Sequence, residues 1–481
     1  MYRDGKKIKV TNGSILIQVI AFMSIGIFVL SGFVGWGVMT ARTARHAEYR
    51  EQALEISEAG IDYYRWHLAH APTDFQDGTA TSGPYIHDYN DRAGKKIGTF
   101  TLDIIPPPVG STLVTVNSTG RVVVDPSIAR TIQTKLAKPS LAKYAVVANA
   151  NMRFGASTEV FGPIHSNGGI HFDGLAHNVV TSAQSTYIDQ DYGAPAVFGV
   201  YTRVAPVDPL PPAAVPLRTD VFQTGRQFPV PAVDFAGLTT NLAQIKTDAQ
   251  ADGLYYPASG GMGYYIQLKT NDTFDIYRIN ALAPPGGGCA NVGGQAGWGT
   301  WSINGFGAAK TPVDSNVPFP DNGLLFVEDH LWIDGQINGA RLTIAAATFP
   351  DSPATRSSIT VNNDLLYTNY DGSDVLALMA QNNFNIGLHG ADTLRIDAAL
   401  VAQNGRAGRY YYQPGCTPYH ARTTLTLYGM IATSLRYGFA YTDGTGYVTR
   451  NIIYDANLLY GPPPSFPLTT GQYQVLSWDE L

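Results

Sequence analysis

The sequence is poor in charged residues and contains only two cysteines. Charged side chains make up 15% of its 481 residues, against about 25% in a typical soluble domain, and the formal net charge of −6 gives no global indication of nucleic-acid binding. Two cysteines exclude a four-cysteine zinc site and a framework of several disulfides. Phosphate-loop, Gly-x-Ser-x-Gly and His-Glu-x-x-His motifs are missing as well. We therefore expect no cofactor, no metal, no catalytic residues and no enzymatic activity.

Apolar residues are concentrated near the N-terminus. Residues 15–39 carry no charged side chain, and about 20 apolar residues suffice to cross a bilayer as a helix. A buried core helix is rarely apolar on all sides over this length, and a secretory signal peptide has a shorter apolar stretch of about 7–15 residues. The pattern predicts a transmembrane helix over 14–39, and the slight excess of basic residues before it favours a cytoplasmic N-terminus.

An amphipathic pattern continues the helix beyond the apolar segment. Apolar side chains recur at helical spacing on one face; they are Ala47, Leu54, Ile61, Tyr64 and Leu68. No proline occurs before Pro72, where a helix has to end. One continuous helix is predicted over 14–70, with residues 40–70 packed against a soluble domain.

The start of the chain resembles that of type IV pilin-like minor pilins, in particular the tip-type subunits that carry very large heads. The similarity lies in a short basic leader ending at Gly13, in Ser14 before the apolar helix, and in ALEISEAGID at 53–62. It implies that a prepilin peptidase removes a leader, residues 1–13, and that the helix packs with other pilin subunits. It also implies a single-pass protein of the cytoplasmic membrane whose head is exported to the cell surface on a pilus.

One position departs from the family pattern. The fifth mature residue of these proteins is usually glutamate, but counting from Ser14 it is Gln18 here. An unpaired carboxylate in lipid is costly, and an uncharged residue at this position resembles the tip subunits of such filaments. The alternative is a membrane-anchored protein that never assembles.

The soluble chain begins with a strand-rich segment. Residues 97–136 contain four candidate strands, 97–105, 111–118, 120–125 and 129–136, separated by Gly110, Gly120 and Pro126. Short connections predict an antiparallel meander. The helix and this sheet, 71–139, form an α+β pilin-like unit.

The remaining chain has a repeated strand pattern: apolar residues alternate with others around one small residue. The copies begin at Leu331, Leu394 and Leu425, with a degenerate one at Thr158. Spacings of 63 and 31 residues predict stacked rungs of a β-solenoid head, and a β-sandwich is the alternative. The head is divided into a first part, 140–202, a proline-rich arm with a helix insertion, 203–320, and a second part with the C-terminal tail, 321–481.

Aligning the four copies predicts a binding stripe. The residues before the small position are Phe161, Asp334, Asp397 and Tyr428, and the alternation points them away from the core. Aromatic faces beside carboxylates suit sugar rings, whereas the negative charge disfavours a nucleic-acid backbone at this place. The two aspartates could alternatively serve as acid and base in a membrane-anchored β-helix enzyme acting on polysaccharide, or all four could be ordinary solvated residues of a passive surface protein. The family resemblance names DNA or another surface ligand, such as a glycan, as what the head could bind.

The cysteines and histidines complete the candidate residues. Cys289 and Cys416 lie in loops beside Gly or Pro, and an exported head reaches an oxidising compartment, so we predict a disulfide between them; two free thiols are the alternative. His165, His171 and His177 recur every six residues, but glycines interrupt the segment, and we expect surface histidines at corners rather than a metal site.

Overall fold

The computed structural model describes residues 13–235, 237–284, 286, 289, 300–303 and 309–481, so the expected leader lies outside the described residues up to position 12. The chain divides into two compact units. The helix–sheet unit comprises residues 13–106, Val114–Leu136 and Val475–Leu481, and the second unit, which we call the head, comprises Pro107–Leu113 and Ala137–Gln474.

The first element is the long helix α1, Gly13–His70, which confirms the expected continuous helix over 14–70. Its 58 residues span about 87 Å. Of the described residues, only this helix contains a segment long and apolar enough to cross a membrane, and none of that segment is buried in the protein. Large apolar side chains such as Phe28 and Trp36 are 79% and 70% exposed.

Burial along α1 begins later than the pattern suggested. Ile61, Tyr64 and Leu68 are buried as expected, whereas Ala47 is exposed and the first buried residue is Ala53. The sheet reaches the helix at this turn. Gly120 of the sheet lies so close to it that an added Cβ would meet the backbone oxygen of Ala53. The stretch between the apolar segment and Ala53 is therefore helical without being covered.

An antiparallel sheet packs on the second half of α1. Its strands are β1 (Tyr85–Asn90), β2 (Lys96–Ile105), β3 (Val114–Val122) and β4 (Ala129–Ala137), paired in sequence order. The expected meander is present, but segments 111–118 and 120–125 belong largely to the single strand β3, and β1 was not anticipated. Gly120 is not a turn residue. It lies within β3 because only a residue without a side chain fits against the helix there.

The outer neighbour of β4 comes from the other end of the chain. The strand Gln474–Glu480 is the fifth strand of this sheet, and Glu480 forms an ion pair with Arg130. This segment was expected in the head, because its pairing partner lies more than 300 residues away in the chain and no local pattern marks it.

The head is built mainly from short strands. In chain order they are β5 (Val146–Ala148), β6 (Met152–Phe154), β7 (Thr158–Phe161), β8 (Ile164–Ser166), β9 (Ile170–Phe172), β10 (Leu175–Ala176), β11 (Val180–Ser182), β12 (Thr186–Asp189), β13 (Gly193–Phe198), β14 (Val200–Tyr201), β15 (Arg226–Gln227), β16 (Leu254–Tyr256), β17 (Gly263–Lys269), β18 (Thr273–Ile279), β19 (Lys310–Pro318), β20 (Leu324–Val327), β21 (Leu331–Ile337), β22 (Arg341–Ala346), β23 (Ile359–Thr360), β24 (Leu365–Tyr367), β25 (Val375–Ala380), β26 (Phe384–Ile386), β27 (Thr393–Ala402), β28 (Ala407–Arg409), β29 (Ala421–Thr433) and β30 (Gly446–Tyr454); β31 is the strand Gln474–Glu480 of the helix–sheet unit. Helix α2 covers Gly237–Asp252, and 3-10 turns occupy Leu141–Lys143 and Ala456–Leu459.

Most pairs in the head are parallel and place like residues side by side. In one ladder, residues of β20, β22, β25, β27, β29, β5, β8 and β11 occupy a single column. All are aliphatic and at most 2% exposed: Leu325, Ile344, Leu378, Leu400, Ile431, Val146, Ile164 and Val180. Stacking of identical positions thus produces a continuous apolar core along the head. Strands from 146–182 extend the stack beyond β29, out of chain order.

The 31-residue spacing between the last two repeats is confirmed, since Leu394 pairs with Leu425 and Leu400 with Ile431. The 63-residue spacing also corresponds to two repeats, because β24 lies between β21 and β27. The register of β21 against β27, however, differs by two residues from the predicted alignment. Gly335 pairs with Leu365, which pairs with Ile396, so the first copy is offset from the predicted alignment. The small residue does mark a bend, because Gly335 and Gly429 have φ of +113° and +140°.

The outer face of this ladder is covered as well. Leu242, Ile245 and Ala249 of α2 are buried against a second apolar cluster that includes Phe326 and Val401. The described sheets are not closed. The chain is therefore α+β, with a long N-terminal helix and a large β-rich head.

Candidate functional site

The residues tied to filament assembly lie at the start of α1. The helix begins at Gly13, so the expected cleavage point between Gly13 and Ser14 falls at its first turn. Gln18 is exposed on the first turns, among apolar side chains that are themselves exposed. An amide without a charge can enter lipid at lower cost than a carboxylate.

The predicted binding stripe is only partly assembled. Asp397 pairs directly with Tyr428, and Phe161 lies two strands further along the same column, with Ile453 between them. Asp334 lies outside this column because of the two-residue offset of its strand. Phe161 is 41% exposed and stacks on His177, with ring centroids 4.0 Å apart.

Asp397 does not point to solvent as expected from strand alternation. It is fully buried, because the connection after β24 lies over it. Its carboxylate accepts hydrogen bonds from the Tyr367 backbone N–H at 3.1 Å, from the Tyr370 hydroxyl at 2.7 Å and from Arg395 at 2.8 Å. A carboxylate with three donors inside the protein is a structural anchor, so we assign Asp397 to the stability of the head rather than to ligand binding.

Asp334 is also buried, at 7% exposure, but it lines a cavity of about 390 Å³. Its carboxylate accepts hydrogen bonds from the Tyr265 hydroxyl at 2.7 Å and from the Asn363 amide at 2.8 Å. Burial and the neighbouring Asp334 raise the pKa of Tyr265, so this phenol stays protonated and remains a donor to the carboxylate.

The same cavity, which we call the Asp334 cavity, offers an aromatic wall and free polar atoms. Lys310 lies over the Tyr265 ring, with its Nζ 5.0 Å from the centroid. Trp332 and Thr360 are neighbours on adjacent strands and both line the space. Among the described residues, the buried Thr360 hydroxyl has no hydrogen-bond partner.

The two cysteines form a disulfide. Cys416 is fully buried and Cys289 is 4% exposed, in a small cluster with Leu388, Tyr410 and Tyr412. The bond joins positions 127 residues apart, and therefore constrains a large part of the head.

The three regularly spaced histidines are not all at the surface. His165 is 1% exposed, and its ring nitrogens lie 2.9 Å and 3.1 Å from the Thr181 hydroxyl and the Asn167 side-chain oxygen. Each histidine lies on or beside a different short strand, β8, β9 or β10, so the strands turn between them and no common face results. Of the three, His177 comes nearest to the expected surface position, with its side chain 25% exposed.

His171 is fully buried between two carboxylates. Its Nδ1 lies 2.9 Å from Asp189 Oδ2, and its Nε2 lies 2.7 Å from Asp173 Oδ2, at ion-pair distance but outside hydrogen-bond alignment. Tyr201 donates a hydrogen bond to Asp189 and packs on the imidazole at 4.7 Å. Burial lowers the pKa of His171, but the two carboxylates outweigh it, so that the pKa is raised overall.

The cluster continues to Asp191, whose potential ligand atom lies within 4.8 Å of those of His171 and Asp189. These three residues could in principle hold a metal. Asp191, however, accepts hydrogen bonds from Arg153 at 3.0 Å and from both Nη atoms of Arg436 at 3.0 Å and 2.6 Å. The guanidinium groups lower the pKa of Asp191 and already neutralise it. The donor set therefore does not suit a cation.

Beside this cluster opens a cleft of about 730 Å³, which we call the arginine cleft. Four guanidinium groups and two carboxylates line it: Arg153, Arg406, Arg436, Arg450, Asp173 and Asp191. One wall is the segment 437–448, fixed by the buried side chains of Tyr437, Phe439 and Tyr447. The cleft is therefore formed by rigid elements of the head core.

Sequence reasoning missed the arginine cleft. Its local signal is the segment RYGFAYTDGTGYVTR at 436–450, in which arginine and tyrosine flank a glycine-rich turn. Arg406, just before β28, joins it, and the remaining lining comes from the region of β6, the end of β9 and the turn after β12, more than 200 residues earlier in the chain. Only the stacking of the two chain regions brings them together.

No protein-family model matches the sequence. No curated protein matches it either. Among solved structures, the crystal structure of the competence-associated pilin ComZ from Thermus thermophilus is similar to 90% of this chain and 98% of that chain, at 13% sequence identity and a TM-score of 0.29. A TM-score of this size does not establish a common fold. The chain is accordingly defined by its own architecture, an exposed apolar N-terminal helix continued into a small antiparallel sheet, and a large β-rich head.

Proposed function

We propose that this protein is a membrane-anchored, pilin-like subunit of a type IV pilus-like filament, with an exported head that binds a surface ligand. One observation carries the proposal: a single helix is exposed and largely apolar over 15–39, and one face of it is buried against an antiparallel sheet from Ala53 onwards. Such a helix needs lipid or the apolar helices of neighbouring subunits around its first half. Other pilin subunits are the partners this requires, and a prepilin peptidase is the enzyme that would act at Gly13.

We place the subunit at the filament tip as a minor pilin. The uncharged Gln18 supports this position, because a terminal subunit has no successor whose amine a carboxylate would pair with. The size of the head supports it too, since a filament shaft packs small heads more easily than one of more than 330 residues. The parallel ladders support a β-solenoid as the architecture of the head.

Adhesion is favoured over polysaccharide cleavage by the placement of the aspartates. Glycoside hydrolysis requires two carboxylates that flank the scissile bond, about 5–9.5 Å apart. Asp397 is held by three donors outside the Asp334 cavity, and in the described part of that cavity Asp334 is the one carboxylate. The cavity has an aromatic wall and a carboxylate acceptor, which suits the binding of a sugar without bond cleavage.

Processing and location together test the filament assignment. In cells that express the chain with a labelled head, N-terminal sequencing is expected to find Ser14 as the first residue of the assembled form. Electron microscopy of purified filaments should show the label at filament ends. Assembled protein that retains Met1, or a label confined to membranes, would contradict the filament assignment and indicate a membrane-anchored surface protein.

Gln18→Glu tests the position within the filament. The carboxylate restores the usual residue of shaft subunits, so the variant is expected to appear along filaments in addition to their ends. Gln18→Asn is the matched control, since it keeps an uncharged amide and should leave the label at the ends. An identical distribution for all three proteins would show that residue 18 does not determine placement.

A further inference from the structure

The arginine cleft has more positive than negative groups. Arg153 and Arg436 share Asp191, and Asp173 faces His171. Among the described residues, the ion pairs of the cleft involve Arg153 and Arg436 but neither Arg406 nor Arg450, although both of these line the cleft. Two guanidinium groups are thus left without a counter-charge, which is costly unless a ligand or water provides one.

These two arginines are not equivalent. Arg450 is 7% exposed and donates to the backbone oxygens of Tyr447 and Val448 and to the Thr158 hydroxyl, so its donors are already used. Arg406 is half-buried. One of its Nη atoms donates to the Arg409 backbone oxygen at 3.0 Å, and both lie at the long distance of 3.5 Å from the Tyr441 hydroxyl. Arg406 therefore retains the donor capacity to bind an anion in the cleft.

The position of Arg406 is fixed before any ligand arrives. Its guanidinium lies over the Tyr410 ring, 5.1 Å from the centroid, and the Tyr441 hydroxyl donates to the Arg409 backbone oxygen at 2.7 Å. A parallel bridge between Gly408 and Gly438 ties the strand after Arg406 to the cleft wall. Preorganised donors lose little entropy on binding.

The carboxylates in the lining restrict the kind of anion. Asp173 and Asp191 each have a positive partner, but they still place negative charge in the lining, which disfavours the closely spaced phosphates of a nucleic acid. They would accept hydrogen bonds from hydroxyl groups of a ligand that carries a single negative charge. Thr442 and the edge of the Tyr441 ring add a hydroxyl and an aromatic surface to the same space. The cleft is large enough for a short oligosaccharide.

We propose that the arginine cleft binds an acidic sugar of the uronic-acid class, with the sugar carboxylate at Arg406 and sugar hydroxyls at Asp173 and Asp191. This site is distinct from the Asp334 cavity. It rests on the proposed function only in that the head meets ligands outside the cell. Its test uses binding alone, so its failure would leave the filament assignment untouched.

The test is titration calorimetry of the full chain in lipid nanodiscs with an aldotriouronic acid, a trisaccharide in which one of the three sugars carries a carboxylate, at physiological ionic strength. The methyl ester of the same trisaccharide is the matched ligand without charge. We expect the acid to bind at least about tenfold more tightly than the ester, because charge-assisted bonds are roughly twice as strong as neutral ones. Arg406→Gln should remove this preference, while Arg356→Gln, which alters an arginine outside the cleft, should retain it.

A second variant keeps the test decisive if Arg406→Gln unfolds the head. Thr442 is exposed at the rim of the cleft, so Thr442→Glu should fold normally and weaken binding of the acid about tenfold, with little effect on the ester. Equal affinity for acid and ester, or no effect of either cleft variant, would overturn the proposal. Binding of a single-stranded oligonucleotide in place of the trisaccharide would also overturn it, since the cleft would then recognise phosphate.

Discussion

Replacing both Cys289 and Cys416 by serine is expected to lower the free energy of unfolding of the head by up to about 5 kcal/mol. The estimate follows from the entropy of the unfolded chain, which a cross-link between residues 127 apart reduces strongly. It is an upper value, because a compact unfolded state has less entropy to lose. An effect of this size is a large fraction of the stability of a typical domain.

Burial adds to the effect of the covalent bond. Both half-cystines pack with Tyr410 and Tyr412, and Tyr410 lies beneath the Arg406 guanidinium. Serine hydroxyls at these positions would be buried without assured partners, which costs further free energy. We therefore expect the double variant to loosen the wall of the arginine cleft as well as the fold.

Urea unfolding of the full chain, followed by the fluorescence of the head, measures the change. Wild-type protein treated with a reductant should lose most of the same stability but slightly less than the double variant, because its thiols add no buried hydroxyl. Mass spectrometry of unreduced protein should show two hydrogen atoms fewer than the reduced form. An unchanged unfolding midpoint in the variant would show that the disulfide adds no stability beyond that of the surrounding packing.

The elements that could be predicted from the sequence were those with a local periodicity of side chains. Helix α1 was predicted within one residue at its start, because an uncharged apolar segment and a proline-free amphipathic segment follow each other without interruption. The register of β27 against β29 followed from a 31-residue repeat. Both depend only on the spacing of side chains along the chain.

Features that depend on distant parts of the chain could not be predicted. Strand alternation placed Asp334 and Asp397 on the outer side of their strands, but it contains no information about the loops and strands that cover that side. The glycine at position 120 resembled a turn because the approach of the helix to β3 is a tertiary contact. The arginine cleft forms for the same reason, through stacking of strands from opposite ends of the head. The cluster around His171 lies within one region of the chain, but β9, β12 and β14 are brought together there only by the fold.

His171→Gln is expected to destabilise the head by about 3–5 kcal/mol at mildly acidic pH. The substitution removes the positive partner of two carboxylates, the buried Asp189 and the half-buried Asp173, and leaves them facing a neutral amide. Loss of one partner from a buried ionic cluster typically costs this amount, because the remaining charges stay desolvated. Tyr201 and the backbone would still donate to Asp189, which keeps the estimate within this range.

His177→Gln is the matched control. The same substitution, six residues along the chain, removes an ion pair with Glu159 whose side chains are 25% and 48% exposed. Exposed pairs contribute at most about 1 kcal/mol, so the control should unfold close to the wild type. A comparable loss in both variants would show that the carboxylates around His171 do not depend on its charge.

The pH dependence distinguishes the ionic role of His171 from simple packing. Its pKa is raised above the ordinary 6.5, so its contribution to stability is fully present below that value and is lost as the pH rises through the raised pKa. The pKa values of Asp173 and Asp189 are lowered from 3.8, so their contribution is present above that value and is lost as the pH falls through the lowered ones. The difference between wild type and His171→Gln should therefore be largest between about pH 4 and 6.5 and shrink in alkaline solution. Urea unfolding across this range measures it, and a difference that stays constant into alkaline solution would mean that His171 acts by its shape alone.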